Sequence, residues 1–173
     1  ISTYIFIMDF YQSLGYLIFG SRLRRLSEYY IGELNKVYQA LAIPFDTSWF
    51  PFFYIFSTTK EISLIDLSNQ LQISHSSVSQ MINNLKQKKL VKTIKAKDDA
   101  RKQLVKLTPD GILLLEKIKP VWEAIGTSLI TIEQENPSVQ PLLSTLSTLE
   151  IELKKQPLST LILELLTKKS KQI

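Results

Sequence analysis

The sequence contains no cysteine and only one histidine, His75. The absence of cysteine excludes a disulfide framework, a thiolate metal site and a thiol-based peroxide sensor. A single histidine leaves a structural zinc site without its usual nitrogen ligands. We therefore expect a protein that holds no metal ion and no other cofactor, and that works in a reducing, cytoplasmic setting.

Motifs that mark catalytic sites are also missing. The 173 residues contain no phosphate-cradling glycine loop, no nucleophile motif and no cluster of metal-ligating side chains. We expect no enzymatic activity from this chain.

The apolar stretch at residues 4–19 is interrupted by Asp9 and Gln12 and follows no basic segment, so we interpret it as a packed helix start rather than a membrane span. No membrane partner is expected.

Glycine is scarce, with 5 residues, and the 7 prolines stand mostly between long Leu- and Ile-rich runs. This pattern predicts a mainly helical fold. Apolar residues recur at helical spacing over 10–42, and Pro44 ends that helix. A short aromatic helix with Pro51 in its first turn follows, capped by Thr47 or Ser48.

The C-terminal part of the chain predicts further helices. Thr108 and Pro109 are typical of a helix start, and the helix should reach about residue 133 with a bend near Pro120. Two more helices follow Pro137 and Pro157. The first of them carries an apolar stripe, typical of a core or a dimer seam, formed by Leu142, Leu146, Leu149 and Leu153.

Two short helices joined by a tight turn are predicted in the middle of the chain. Ser63 and Asp66 form a capping-box pattern at the start of the first helix, which ends at about residue 71. Only Gln72 and Ile73 separate it from Ser74, the predicted N-cap of a helix that runs to about residue 88. Two helices with so short a joint cross at a large angle, as in a helix-turn-helix.

A strongly basic segment follows the second helix. Residues 86–106 contain nine Lys or Arg and two Asp, a local net charge of +7 in a chain whose total is +5. Residues 90–95 and 103–107 alternate partly between apolar and polar side chains, with a polar connection at 97–101, which predicts a β-hairpin. Positive charge gathered in one place is suited to a polyanion.

The second helix of the pair has a face suited to the major groove of DNA. At about 100° of rotation per residue, its inward residues are Val78, Met81, Ile82 and Leu85. Its outward residues are uncharged and polar: Ser76, Gln80, Asn83 and Gln87, flanked by Ser77, Ser79 and Asn84. Such amides can pair with adenine, while the lysines nearby suit phosphate contacts.

Residues 61–119 resemble the DNA-binding core of the MarR family of bacterial transcriptional regulators. The resemblance depends on Asp99-Ala100-Arg101, on Leu107-Thr108 with Gly111, and on the joint of Leu85 with Leu90-Val91. It extends more weakly over the whole chain. The long N-terminal helix, SWFPFFYIF, SHSSVSQ and Pro120–Trp122 look like a branch whose members sometimes continue into an acetyltransferase domain.

The resemblance implies a winged helix-turn-helix with a small β-hairpin, in a single domain over 1–173. Dimerisation helices would span 9–44 and 137–170, and the DNA-binding lobe 47–119, with the wing at 90–107. Each subunit of a homodimer would place one recognition helix in the major groove and one wing in the minor groove of double-stranded DNA. We expect the DNA contacts to come from Ser74, His75, Ser76, Ser77, Ser79, Gln80, Asn83, Lys86, Lys95, Lys97, Arg101 and Lys102.

The resemblance also implies roles for the wing residues. Asp99 would brace the wing by pairing with an arginine, and Arg101 is either that partner or a minor-groove contact; Lys97 is the better candidate for the tip. His75 either contacts DNA or lies over the turn. Two features depart from the family pattern: Gln72 stands where glycine is frequent, and Lys102 and Gln103 replace small or apolar residues.

A small aromatic or amphipathic effector is a further hypothesis. An effector pocket would involve Tyr29, Trp49, Phe53 and Trp122, although each ring is also compatible with simple core packing. Two alternatives to a stand-alone regulator are a regulatory module of a longer chain with an acetyltransferase domain and a winged helix used for protein docking. The docking module would bind duplex DNA weakly, with little dependence on salt.

Overall fold

The computed structural model describes residues 10–11, 13–96 and 103–170, without the side chain of Lys169. The chain forms two compact units, one reaching to Pro120 and the other starting at Val121. Within the described residues, no helix is both long enough and apolar enough to cross a membrane.

The first long helix begins later than the sequence predicts. A 3₁₀ turn at Gly15–Ile18 precedes α1 (Phe19–Ala40), so the predicted continuous helix from residue 10 is wrong. Gly15 has a φ of +51°, a left-handed conformation that a continuing α-helix does not allow. Glycine at this position therefore interrupts the apolar periodicity that suggested one helix.

The aromatic segment folds as a 3₁₀ turn at Thr47–Trp49 followed by α2 (Phe50–Thr58), with Pro51 in its first turn as predicted. The prediction that Thr47 or Ser48 caps this segment is wrong. Asp46 is the cap, because its carboxylate accepts hydrogen bonds from the Ser48 backbone N–H at 2.8 Å and from the Ser48 hydroxyl at 2.7 Å.

The helix-turn-helix and the hairpin are confirmed. They consist of α3 (Leu64–Leu71), α4 (His75–Gln87), β2 (Val91–Lys95) and β3 (Gln103–Leu107). A two-residue strand that the sequence did not predict, β1 (Ile62–Ser63), pairs antiparallel with β3 and gives the strand order β1-β3-β2. The third strand adds a backbone ladder to a hairpin that would be marginal alone.

The core of the first unit lies between the sheet and the helices of the lobe. Its largest fully buried side chains, each exposed by 2% or less, come from α2, α3, α4, β3 and α5 (Pro109–Glu135): Phe53, Leu67, Val78, Ile82, Leu85, Val105 and Ile118. Because three of them come from α4, the buried stripe of this helix anchors it and leaves its opposite side outward.

The second unit contains the rest of α5, α6 (Leu142–Lys155) and α7 (Leu158–Ser170). Helix α5 continues through Pro120 to Glu135, two residues beyond the predicted end. The helix predicted after Pro137 begins only at Leu142, because residues 137–141 form turns. The helix after Pro157 is where the sequence placed it.

Candidate nucleic-acid interface

The turn between α3 and α4 is closed by backbone hydrogen bonds around a left-handed residue. Gln72 has φ 53° and ψ 37°, and the following Ile73 N–H donates to the carbonyl of Ser68 at 3.3 Å. The hydroxyl of Ser68 donates in return to the Ile73 carbonyl at 2.6 Å. This helix ending holds the two helices in a fixed crossing with only three residues between them.

A group of serine hydroxyls forms the N-terminus of α4. Ser74 is the N-cap as predicted, and its Oγ accepts from the Ser77 N–H at 3.2 Å. The same oxygen lies 2.9 Å from Ser76 Oγ and 2.8 Å from Ser77 Oγ. His75, the first residue of the helix, is exposed beside them. Small hydroxyls and free N–H groups at a helix start are suited to phosphate oxygens.

Helix α4 presents the polar face that the sequence predicted. Val78, Ile82 and Leu85 are buried and Met81 is half-buried. The side chains predicted to point outward are exposed, except the half-buried Ser79: Ser76, Ser77, Gln80, Asn83, Asn84 and Gln87. Because these exposed groups are hydroxyls and amides without formal charge, they can approach base edges without repelling phosphate.

The C-terminus of α4 is tied to the start of α5. Lys89 is left-handed with φ 60°, and the N–H groups of Lys89 and Leu90 donate to the carbonyls of Lys86 (2.8 Å) and Leu85 (2.9 Å). These two bonds form a Schellman motif. The hydroxyl of Thr108 then donates to the Lys89 carbonyl at 2.6 Å. Helix α4 is thus held at both ends.

Thr108 and Gly111 complete this joint. Thr108 N–H donates to the Leu90 carbonyl at 3.0 Å, and its hydroxyl accepts from Gly111 N–H at 3.1 Å as the cap of α5. A Cβ on Gly111 would lie 2.1 Å from the Leu90 carbonyl oxygen. Leu90, Thr108 and Gly111, on which the MarR resemblance partly depends, therefore meet where the end of α4 packs against the start of α5.

The basic residues lie beside this helix end and on the strands. Lys86 is half-buried, and Lys88, Lys89, Lys92 and Lys95 are exposed. Among the described residues none of these lysines forms an ion pair within 4.0 Å, since the pairs present there lie on α1 and α6. Their positive charge is therefore available to an external anion.

The other predicted wing residues fall outside the described part of the chain. Lys97, Asp99, Arg101 and Lys102 belong to residues 97–102. The bracing by Asp99 and the minor-groove contact by Lys97 or Arg101 stay predictions.

The predicted effector-pocket residues have different surroundings. The ring centroids of Trp49 and Phe53 lie 6.5 Å apart, and the angle between the two ring planes is 22°. Phe53 has no solvent exposure, whereas Tyr29 is 67% exposed. Trp122 belongs to the second unit. Trp49 also lines a cavity of about 420 Å³ together with Lys88 and Asp110, while Phe53 packs in the core.

The DNA contacts predicted from the sequence did not include two lysines of the sheet. Lys92 and Lys106 are direct partners in the β2–β3 register. The alternation of the two strands was visible in the sequence, but the register that brings these particular residues together depends on how the hairpin closes.

Comparison with solved structures identifies the fold. A complex of S. aureus MepR with DNA is similar to this chain with a TM-score of 0.60 and 21% identity, covering 76% of this chain and 97% of that one. E. coli MarR without ligand gives a TM-score of 0.55 and 20% identity, covering 73% of this chain and 95% of that one. The fold is therefore the winged helix-turn-helix of MarR-type regulators.

A third structure has a higher sequence identity. Bordetella bronchiseptica BpsR, solved in work on the regulation of its DNA binding by 6-hydroxynicotinic acid, gives 27% identity and a TM-score of 0.58 over 74% of this chain and 91% of that one. No protein-family model and no curated protein matches the sequence.

Proposed function

We propose that this chain is a homodimeric, sequence-specific DNA-binding transcriptional regulator. Helix α4 enters the major groove and the basic wing contacts the minor groove. Two recognition helices related by a twofold axis would contact a pseudo-palindrome with half-sites about one helical turn apart.

The observation that carries this proposal is that uncharged amides and lysines lie on different parts of the lobe surface. Gln80 and Asn83 are exposed on the uncharged face of α4, whose buried side anchors the helix. Amide side chains of this kind discriminate bases. Lysines such as Lys95 lie outside that face and form no ion pair among the described residues, so they supply charge for phosphate contacts without base preference.

The connection between β2 and β3 carries Lys97, Arg101 and Lys102, which lie outside the described residues. We propose that these residues contact the minor groove and that Asp99 braces the wing by pairing with Arg101. Arginine inserted into a narrow minor groove adds affinity through the negative potential there.

Two of the similar structures support DNA as the ligand and a small molecule as the regulator. MepR was solved with DNA, and the DNA binding of BpsR is regulated by 6-hydroxynicotinic acid. By analogy we propose that a small aromatic or amphipathic effector modulates this chain, with Trp49 at the cavity described above as the first residue to test.

Selection of bound duplexes from a random pool tests the proposal directly. The selected site is expected to bind at least 10³-fold more tightly than random duplex. The logarithm of the affinity should fall linearly with the logarithm of the salt concentration, because lysine contacts release counterions from the phosphates.

Variants separate the two kinds of contact. Gln80→Ala and Asn83→Ala should cost about 1–3 kcal/mol on the selected site and relax base preference, as a lost bidentate contact does. Lys95→Ala, the control for charge, should weaken binding to all duplexes alike and reduce the salt slope by about one. Equal loss on all sequences for all three variants would contradict the assignment, and weak, salt-independent duplex binding would favour a protein-docking module.

The resemblance to the regulator half of acetyltransferase fusions leads to a second test. Sequencing the intact gene shows whether the natural chain continues into a catalytic domain. In that case the same DNA-binding surface would serve as the regulatory module of a larger protein.

A further inference from the structure

Helix α4 carries few types of polar side chain on its exposed side. From His75 to Gln87 it contains no Arg, Asp or Glu, and its one lysine, Lys86, is half-buried in the last turn. Arginine is absent from the whole stretch between residues 26 and 100. The exposed polar groups of the helix are therefore hydroxyls and amides, together with the imidazole of His75.

These side-chain types differ in the bases that they can recognise. In the major groove, guanine pairs with arginine or lysine, and cytosine donates to a carboxylate. Adenine pairs through N6 and N7 with the amide of asparagine or glutamine. Serine hydroxyls can bond to more than one base and give little preference. Among hydroxyls and amides, only the amides select a base, and the base is adenine.

Two of the amides are placed to contact successive base pairs. Gln80 and Asn83 are three residues apart, so they share one face of the helix. Their separation along the helix axis is about 4.5 Å, close to the spacing of about 3.4 Å between base pairs. Both side chains are exposed, while Val78, Ile82 and Leu85 fix the opposite face of α4 in the core. The two amides can therefore face neighbouring base edges.

The cationic side chains near α4 are not placed for guanine. Lys86 is in the last turn, whereas the second helix of a helix-turn-helix contacts bases through its N-terminal residues. Lys88 follows the helix end. His75 lies five residues before Gln80, about 140° around the helix axis from it. These cations suit phosphates, and the amide face of α4, whose residues the structure describes throughout, holds no partner for guanine.

We infer that the part of the binding site under α4 consists of A·T base pairs, with adenines bound by Gln80 and Asn83 on two adjacent pairs. Each amide oxygen accepts from adenine N6–H, and each amide nitrogen donates to adenine N7. This inference rests on the proposed function and adds to it the base composition at the centre of each half-site.

Selection from a random duplex pool with the intact chain gives the first test. The positions whose base preference is relaxed in Gln80→Ala and Asn83→Ala should be adjacent A·T pairs, and G·C at either should weaken binding about tenfold. G·C pairs at those positions, or no position that either variant relaxes, would overturn the inference and leave sequence-specific binding intact. Selection of no site would overturn both the inference and the proposed function.

Inosine·cytosine pairs separate recognition by α4 from other causes of an A·T preference. Such a pair has the major-groove edge of G·C and the minor-groove edge of A·T, because inosine lacks the N2 amino group. Exchange of the two A·T pairs for inosine·cytosine should therefore weaken binding as much as exchange for G·C does. Full binding to the inosine·cytosine duplex would attribute the preference to the minor groove and would contradict the inference.

Duplexes with 7-deazaadenine test the two contacts one at a time. This base lacks the N7 acceptor and should weaken binding of the unmodified chain about fivefold, as loss of one hydrogen bond does. Gln80→Ala and Asn83→Ala should each become insensitive at one position only. The control Gln39→Ala, which removes an exposed amide of α1, should respond like the unmodified chain. Equal sensitivity of all four proteins would rule out the two pairings.

Gln80→Arg tests the same assignment by a gain of preference. Arginine pairs with guanine O6 and N7, so the selected base pair at that position should change from A·T to G·C. Gln39→Arg adds the same charge on α1 and should leave the selected sequence unchanged. An unchanged selected sequence in Gln80→Arg would show that residue 80 faces no base edge, against the inference.

Discussion

At the scale of single residues, Gly111 shows how one missing side chain allows α5 to pack against the segment that follows α4. Its Cα approaches the backbone of Leu90 so closely that an added Cβ would lie 2.1 Å from the carbonyl oxygen. That oxygen belongs to the segment connecting α4 to the wing and cannot rotate away as a flexible side chain would. Close packing of α5 against this segment therefore requires glycine.

Gly111→Ala is expected to destabilise the protein by about 2 kcal/mol, because the backbone must move to relieve the clash. Gly126→Ala on the same helix is the control: its Cβ would meet nothing within 4 Å, so it should stabilise by about 0.5–1 kcal/mol through helix propensity. Urea unfolding of both variants measures the difference. Destabilisation by both, or by neither, would contradict the steric explanation.

Two non-glycine residues take left-handed conformations at the ends of α3 and α4. Gln72 has φ 53° and Lys89 has φ 60°. A side chain in this region costs of order 1 kcal/mol relative to glycine. The sequence identified Gln72 as unusual for its turn, and the structure confirms the left-handed backbone there.

Gln72→Gly should raise the free energy of unfolding by about 0.5–1 kcal/mol, since relief of the strain exceeds the extra entropy of glycine in the unfolded chain. Gln70→Gly, inside α3, should lower it by about 1 kcal/mol. Thermal and urea unfolding provide both values. A destabilised Gln72→Gly variant would mean that the glutamine side chain stabilises the turn by some other interaction.

At the scale of elements, the position of α4 depends on its neighbours rather than on its own sequence alone. Its start follows the closed turn at Gln72, and its end is fixed by the Schellman motif at Lys89. Thr108 links that end to α5 through hydrogen bonds on both its hydroxyl and its backbone N–H. For the proposed contact of α4 with base edges, a helix held so firmly before binding loses less conformational freedom when it binds.

Thr108→Val should cost about 2 kcal/mol of stability, because it removes the cap of α5 and the hydrogen bond to the Lys89 carbonyl while preserving side-chain shape. Thr108→Ser retains the hydroxyl and should cost much less. Hydrogen exchange at Lys89 and Gly111 provides a local readout in addition to global unfolding. Equal effects of the two variants would show that the methyl group, not the hydroxyl, stabilises the joint.

At the scale of the whole molecule, the helices outside the winged-helix lobe expose many large apolar side chains. On α7 alone, Ile162 is 48% exposed and Leu166 is 59% exposed, one helical turn apart. Contiguous exposed apolar surface on a helix usually marks an interface. This pattern supports the proposed dimer, in which the helices of 9–44 and 137–170 of two copies cover one another.

Ile162→Ser/Leu166→Ser should shift the chain toward monomers in sedimentation equilibrium and weaken binding to the two-half-site duplex. The unmodified chain should show a Tm that rises with protein concentration, as an associating protein does. Glu164→Ser, a polar change on the same exposed helix, should leave association unchanged. A chain that is monomeric at all concentrations, or a double variant that remains dimeric, would contradict this interface.

Much of the lobe could be predicted because its signals are local. Ser63, Ser74 and Thr108 cap their helices as predicted, and the hairpin strands are within a residue of the predicted limits. The failures have non-local or conformational causes. β1 has only two residues and pairs with a strand far along the chain, and the positive φ of Gly15 interrupts a helix that apolar spacing alone would continue.

The sequence by itself determined the helical class, the position of the turn, the polar face of α4 and the concentration of charge beside it, because each depends on residue type and spacing over a few residues. Only the tertiary structure decided the close approach of Gly111 to Leu90, the link through Thr108 and the pairing of Lys92 with Lys106. These features join segments distant in the chain. Their geometry depends on backbone hydrogen bonds and packing that no local pattern encodes.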